Sequence, residues 1–127
     1  MVELFRRTTL AGLLATGATG AVRAAEWPDR SVTWIVPYPA GGGSDTFARP
    51  IAARVTDQLG QPMVIENKSG AGGTLGTAVA ARAPADGYTL LVGDTGLVYA
   101  PLVYAKAGFD FGRDFAPVSA LARVPYA

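Results

Sequence analysis

The chain has 127 residues, half of them hydrophobic, which is enough for one modest domain with a core and argues against disorder. It contains no cysteine and no histidine, which excludes disulfides, thiol nucleophiles, Ser-His-Asp catalysis and nearly all zinc sites. The formal net charge of +1 becomes about −1 without the first 25 residues, because eight basic and nine acidic residues remain. No basic stripe indicates nucleic-acid binding.

Residues 1–25 have the features of an export signal peptide. Arg6 and Arg7 precede a mildly apolar run, and Val22-Arg23-Ala24 has the small-residue spacing of a cleavage site. The run is too short to span a bilayer and too rich in glycine and threonine for a good buried helix. We therefore predict a mature domain that begins at residue 26. The route, Sec or twin-arginine, stays open, because Thr9 lies where a twin-arginine signal prefers a large apolar residue.

The first predicted unit is a strand, a glycine loop and a helix. The strand covers residues 31–36, and the loop PYPAGGGSD covers residues 37–45. Ser44 is the predicted N-cap of the helix, and Gly60 its predicted end. Pro50 predicts either an irregular first turn or a later start near Arg49. The predicted apolar face consists of Phe47, Ile51, Val55 and Leu59, with Ala48 and Ala52 beside them.

The second unit repeats this order. A strand at residues 63–66 precedes the loop NKSGAGGT and a short helix, and a tight turn leads to a third strand at residues 88–93. A third loop at residues 94–96 then opens a helical turn or two. Residues 109–115 read as a loop, and residues 118–124 as the start of a fourth strand. The predicted apolar side of the short helix consists of Leu75, Ala78, Val79 and Ala83.

This order predicts an α/β fold with a parallel sheet and right-handed crossovers. In such a sheet every strand-to-helix loop emerges at the carboxyl edge, where open α/β sheets bind ligands. Glycine lets the backbone come close to a ligand, and a helix start offers unpaired N–H groups to an anion. We therefore expect one anion site at this edge.

Nucleotide and protease motifs fit poorly. No Gly-Lys-Ser/Thr follows a glycine at the Walker A spacing, and glycines 70 and 72 of a dinucleotide fingerprint would require a third glycine where Leu75 stands. Asp94-Thr95-Gly96 matches the tripeptide of aspartic proteases, but those enzymes need two such carboxylates. A small nucleotide- or dinucleotide-binding enzyme domain is the alternative interpretation.

The expected anion is a carboxylate. The first loop contains no lysine or arginine, and only Lys68 lies near the second, so backbone N–H groups and hydroxyls suit a singly charged head group better than a polyphosphate. Tyr38 is a candidate ligand contact at the rim. Asp45 has two possible roles, complementing the helix dipole or contacting a ligand. We predict no catalytic residue, cofactor or metal.

Six ordered motifs resemble one family: WPDR at 27–30, IVPYPAGGGSD at 35–45, LGQP at 59–62, ENKSGAGG at 66–73, DGYTLL at 86–91 and DFAPVS at 114–119. The sequence is similar to the tripartite tricarboxylate transporter substrate-binding proteins, the Bug family of periplasmic solute receptors.

The resemblance implies one lobe of a type II periplasmic-binding-protein-like fold. The receptor would capture a small carboxylate, a di- or tricarboxylate or a related organic acid, and deliver it to membrane permease subunits. Because family members are longer, residues 26–127 are expected to form a partial N-terminal lobe, truncated before the second lobe is complete. An acid at Asp94 is unusual and would either turn away from the ligand or alter its preference. By position, the ligand-binding residues are Tyr38, Pro39, Ala40, Gly41, Gly42, Gly43, Ser44, Asp45, Gly72, Gly73, Thr74, Thr95 and Gly96.

Overall fold

The computed structural model describes residues 26–123, so the predicted export signal lies outside the described residues. Three strands alternate with helices. The strands are β1 (Val32–Val36), β2 (Met63–Asn67) and β3 (Thr89–Leu91), and the helices are α1 (Gly43–Leu59), α2 (Thr74–Ala81), α3 (Thr95–Val103) and α4 (Phe111–Asp114). A short 3-10 turn, Ala71–Gly73, precedes α2.

The sheet is parallel in the order β2-β1-β3, which confirms the predicted α/β fold class. In the register, Trp34 of β1 pairs with Ile65 of β2 and with Leu90 of β3. The crossovers from β1 to β2 and from β2 to β3 run in opposite directions across the sheet. Right-handed connections therefore place α1 and α2 on opposite faces of the sheet.

The main core lies between α1 and the sheet. Trp34 and Val36 project from β1 against Ala48 and Ala52 of α1, and all four are buried. The two alanines let the helix approach the central strand closely. Partly buried residues of β2 and β3 extend this core on both sides of β1: Met63, Ile65 and Leu90.

The start of α1 differs from the prediction. Gly42, with extended backbone, is the N-cap, and Ser44 lies inside the first turn without a capping hydrogen bond. The helix also continues through Pro50 without interruption. Because Pro50 is exposed, the carbonyl group that loses its helical donor is near solvent, which lessens the cost. The predicted end is confirmed, since Gly60 adopts the left-handed conformation (φ 69°).

The predicted apolar faces of α1 and α2 differ from the faces that are buried in the structure. Phe47 is 41% exposed, while Asp45, Ala48 and Ala52 form the buried stripe of α1. In α2, Leu75 is 57% exposed and Val79 38% exposed, whereas four small residues are buried: Thr74, Gly76, Thr77 and Ala78.

Gly76 explains why α2 buries small residues. A Cβ at Gly76 would lie 2.4 Å from the Lys68 carbonyl oxygen and 2.9 Å from Pro37 Cα, so the helix touches the backbone at the ends of β1 and β2. A helix this close leaves little room for large side chains on the buried side.

The C-terminal segment differs from the prediction in two places. Residues 111–114, read as loop, form the short helix α4, which Asp110 caps by accepting from the N–H groups of Gly112 and Arg113, both at 3.0 Å. Residues 118–123 form no strand, and residue 124 lies outside the described residues. A second small core packs Ala78 of α2, Ala100 of α3 and Phe109 together.

Candidate functional site

Three loops meet at the carboxyl edge of the sheet, each joining a strand to the first turn of a helix. We name them loop 1 (residues 37–42, before α1), loop 2 (residues 68–73, before α2) and loop 3 (residues 92–94, before α3). Since β2, β1 and β3 are parallel neighbours, the three helix starts face the same side of the molecule. This is the arrangement that the sequence predicts.

Tyr38 stands where the three loops converge. Its side chain is half-buried. A Cβ at Gly73 of loop 2 would lie 3.2 Å from the Tyr38 hydroxyl oxygen, and a Cβ at Gly96 in the first turn of α3 would lie 3.6 Å from it. The phenol therefore reaches from loop 1 to the starts of both α2 and α3.

Loop 2 has an unusual backbone. Gly70, Ala71, Gly72 and Gly73 are consecutive, and all have positive φ, at 146°, 45°, 62° and 92°. Ala71 is the one non-glycine residue with positive φ within residues 26–123. Tyr104 covers the loop, because its hydroxyl oxygen lies 2.7 Å from where a Cβ of Gly72 would be. A side chain at Gly72 would collide with Tyr104, and one at Gly73 would crowd Leu97 and Tyr38.

Asp45 forms a buried hydrogen-bond network at loop 1. Its carboxylate, 2% exposed, accepts the Gly41 N–H at 2.8 Å, Arg49 Nε and Nη2 at 2.8 and 2.9 Å, and Asn67 Nδ2 at 2.9 Å. Asn67 Nδ2 also donates to the Tyr38 carbonyl at 3.1 Å, and Asn67 Oδ1 accepts from Arg49 Nη2 at 3.2 Å. The network ties loop 1 and α1 to the end of β2.

These contacts keep Asp45 ionised. The hydrogen bonds from Arg49, from the Gly41 N–H and from Asn67 lower the pKa of Asp45 from 3.8 to about 2, against the opposing effect of burial. In return, Asp45 raises the pKa of Arg49. Charge and countercharge balance within the network, so the start of α1 keeps the anion-attracting polarity of its N–H groups.

The hydroxyl groups predicted to reach the ligand differ in their surroundings. Ser44 is partly exposed in the first turn of α1. Thr74 is buried, and its hydroxyl donates to the Ala71 carbonyl at 2.9 Å inside loop 2. Thr95 is exposed at the first position of α3.

Asp94 is the N-cap of α3. Its Oδ1 accepts the N–H of Leu97 at 3.3 Å, so the carboxylate turns towards the first turn of its own helix. Of the two roles that the sequence left open for this acid, the contact matches turning away from a ligand.

The predicted site residues all lie in loops 1 and 2 or in the first turns of the three helices. Their exposure falls into three groups: Pro39, Ala40, Gly41, Gly43, Gly72, Thr95 and Gly96 are exposed, Tyr38, Gly42 and Ser44 are intermediate, and Asp45, Gly73 and Thr74 are buried.

Three residues at the site were not predicted: Arg49, Asn67 and Tyr104. A weak signal existed for Arg49, because Asp45 and Arg49 have the i,i+4 spacing of a helical ion pair. Asn67 could have been found from the register, in which it pairs with Val36 at the end of β1. Nothing in the sequence indicates the contact between Tyr104 and Gly72.

Within residues 26–123, no group of three or more acidic side chains is placed to hold a metal ion. None of the helices in this range combines the length and apolar character needed to cross a bilayer.

A parallel sheet with helix starts gathered at one edge is the ligand-binding arrangement of open α/β folds, and a lobe of a periplasmic binding protein is one case of it. Comparison with known proteins agrees. Residues 47–127 match the family described as tripartite tricarboxylate transporter family receptor, TctC. The chain belongs to this family, which confirms the resemblance seen in the sequence.

Individual relatives extend the comparison. A UPF0065 protein from the tcbD-tcbE intergenic region of Pseudomonas sp. strain P51 is 38% identical over 98% of this chain. MatC from Rhodopseudomonas palustris, solved with bound malate, is 44% identical with a TM-score of 0.67 over 72% of this chain. A second R. palustris structure, Rpa4515 with adipate, is 45% identical with a TM-score of 0.63 over 66% of the chain. The chain spans 38%, 31% and 28% of the respective lengths of these proteins.

Proposed function

We propose that this chain forms one wall of a carboxylate-binding site in an extracytoplasmic solute receptor. The observation that carries the proposal is the convergence of the starts of α1, α2 and α3 around Tyr38 at one sheet edge. A ligand carboxylate would accept from N–H groups of loop 2 and of the first turns of α1 and α3, and from hydroxyls in the predicted set, above all from Gly43, Ser44, Gly72 and Gly96.

The charges around the loops favour a carboxylate over a polyphosphate. Arg49 is paired with Asp45, and Lys68 Nζ lies 3.0 Å from Glu66 Oε2. Both nearby cations are therefore paired with acidic side chains. The donors left for a ligand are mainly backbone N–H groups, which suit a single negative charge. The malate and adipate in the similar R. palustris structures support this choice.

The family supports the rest of the proposal. Residues 1–25 would direct export, residues 26–127 would form part of the N-terminal lobe, and the loaded receptor would deliver its ligand to permease subunits of a tripartite transporter. The function is binding rather than catalysis. The alternative, a nucleotide- or dinucleotide-binding enzyme domain, has no support from the matched family or from the similar structures.

A titration that reports on the loop amides tests this proposal. Tryptophan fluorescence is a poor reporter, because Trp34 is buried in the core and Trp27 packs against Tyr88, 6.1 Å between ring centroids, beyond the amino end of β3. We therefore suggest following backbone amide chemical shifts while the purified chain is titrated with malate, adipate, NAD and ATP.

The expected result is a saturable shift of the amides of Gly43, Ser44, Gly72 and Gly96 with malate or adipate, and none with NAD or ATP. Amides near the Arg30–Asp86 ion pair, which lies at the opposite end of the strands, serve as an internal control. A response to a nucleotide without any response to carboxylates would contradict the proposal.

A further inference from the structure

Asp45 is chemically unsuited to contact a carboxylate ligand. Its two oxygens already accept four hydrogen bonds, and its side chain is 2% exposed. A ligand donor would have to displace one of these partners, and a ligand carboxylate has no hydrogen to donate to Asp45, because both groups are acceptors only. The residue nevertheless lies in the first turn of α1, the centre of the proposed site.

The network around Asp45 controls the path of loop 1. The carboxylate holds the N–H of Gly41, whose φ is +77°, and Asn67 holds the carbonyl of Tyr38. Only Pro39 and Ala40 lie between these two tied points. The direction of the Tyr38 side chain and of the first amides of α1 therefore depends on groups that lie behind the loop.

Asn67 joins this arrangement to loop 2. It is the last residue of β2 and is immediately followed by the first residue of loop 2, Lys68. Both ends of its side-chain amide form hydrogen bonds: Nδ2 donates to Asp45 and to the Tyr38 carbonyl, and Oδ1 accepts from Arg49. One side chain thus fixes loop 1 relative to the point where loop 2 begins.

We propose that Asp45, Arg49 and Asn67 are positioning residues of the carboxylate site, which hold loop 1 against the end of β2 and act on the ligand only through the loop amides. This inference rests on the proposed function for its ligand, but the geometry that it assigns to the loops can be tested without one.

Substitutions that preserve the shape or the charge of a side chain distinguish a positioning role from a direct electrostatic effect on the ligand. In D45N, an amide group replaces one carboxylate oxygen, so at least two of the four donors lose their acceptor. In R49K, the positive charge remains but the paired Nε and Nη2 contacts are lost. N67A removes the link to β2. Matched controls are D57N and R54K, at exposed positions on the same helix.

Amide hydrogen exchange of the ligand-free chain is the first measurement. We expect exchange of the Gly41 and Gly42 amides, which donate to Asp45 and to the Pro39 carbonyl, to accelerate about tenfold in D45N and N67A and to stay unchanged in D57N and R54K. Circular dichroism identifies any variant that fails to fold. If D45N fails to fold, N67A still tests the proposal, because Asn67 is partly exposed. Unchanged exchange of the Gly41 and Gly42 amides in the folded variants would overturn the proposal.

Ligand affinity is the second measurement, and the direction in which the Kd changes decides between the explanations. Positioning predicts that D45N raises the Kd by about tenfold, and by the same factor for malate and adipate, because both rely on the same loop amides. Mere repulsion by Asp45 predicts a lower Kd in D45N, and mere attraction by Arg49 predicts no change in R49K. Either outcome would overturn the proposal. If the unsubstituted chain binds neither acid, the proposed function fails, and hydrogen exchange still decides the positioning role.

Discussion

Loops 1 and 2 have similar sequences and occupy equivalent places after neighbouring strands, yet different forces hold them. Side-chain hydrogen bonds hold loop 1, centred on a buried carboxylate. Loop 2 is held by backbone hydrogen bonds from Gly73 and Leu75 to the Gly70 carbonyl and by close contacts at its glycines. Glycine-rich loops of similar sequence can therefore be held in place by different interactions. Loop 1 should respond to charge and pH, whereas loop 2 should respond to added atoms.

The largest effect is expected where α2 touches the backbone. In G76A the new Cβ would lie 2.4 Å from the Lys68 carbonyl oxygen, a backbone atom that cannot swing aside. We expect the free energy of unfolding to fall by about 3 kcal/mol or more, because the helix must move away from the sheet. Urea unfolding monitored by circular dichroism measures this change.

Gly43 provides the control for this substitution. A Cβ there meets nothing within 4 Å, so G43A should alter the free energy of unfolding by less than about 1 kcal/mol, in the stabilising direction. Equal losses in both variants would mean that close contact does not determine the tolerance of these positions.

A second comparison separates backbone strain from crowding. Gly41 and Gly73 both have positive φ, at +77° and +92°, but only Gly73 has neighbours, with Leu97 Cδ2 at 3.0 Å and the Tyr38 hydroxyl at 3.2 Å from its Cβ position. G41A should cost about 1 kcal/mol from the left-handed backbone alone, and G73A about 2–3 kcal/mol. Thermal unfolding of the pair measures the difference, and a cost at Gly41 equal to that at Gly73 would remove the distinction between the loops.

Loop 1 should give the protein an acid-dependent stability. Because the folded pKa of Asp45 is about 2 and its usual value is 3.8, the stabilisation is fully present above about pH 4 and is lost as the pH falls towards 2. Wild type should exceed D45N in urea midpoint at pH 7, and the gap should close towards pH 2. D57N should show no such convergence. A gap that is constant with pH would show that the Asp45 charge does not contribute to stability.

The first three strands, the C-terminal end of α1 and the meeting of the loops could be predicted, because they depend on local patterns and on the geometry of parallel sheets. The helix faces were harder. Thr77 is buried although polar, and its hydroxyl donates to the Gly73 carbonyl at 2.8 Å, which removes the usual cost of burying it. Leu75 is 57% exposed although apolar, because the close approach at Gly76 reserves the buried side of α2 for small residues.

The site shows the same limit. Asp45 was recognised as a residue of interest, but its partner Asn67 is 22 residues away in the chain, and only the register of β1 with β2 brings the two together. Conversely, the side chain of Tyr104 reaches Gly72 from the far end of α3, a contact that depends on how two helices pack. Patterns within a segment indicate the loops, whereas contacts between segments decide what holds them.

The smallest predicted effect concerns a side-chain hydrogen bond inside loop 2. The Thr74 hydroxyl donates to the Ala71 carbonyl at 2.9 Å, but that carbonyl also accepts the Thr74 backbone N–H, so T74V leaves it partly satisfied. We expect a loss of about 0.5–1 kcal/mol in the free energy of unfolding. T46V in α1, which removes a longer contact of 3.4 Å to the Gly41 carbonyl, is the matched control and should cost less. If T74V reduced stability as much as G73A, side-chain polarity would hold loop 2 as it holds loop 1, and the contrast between the two loops would disappear.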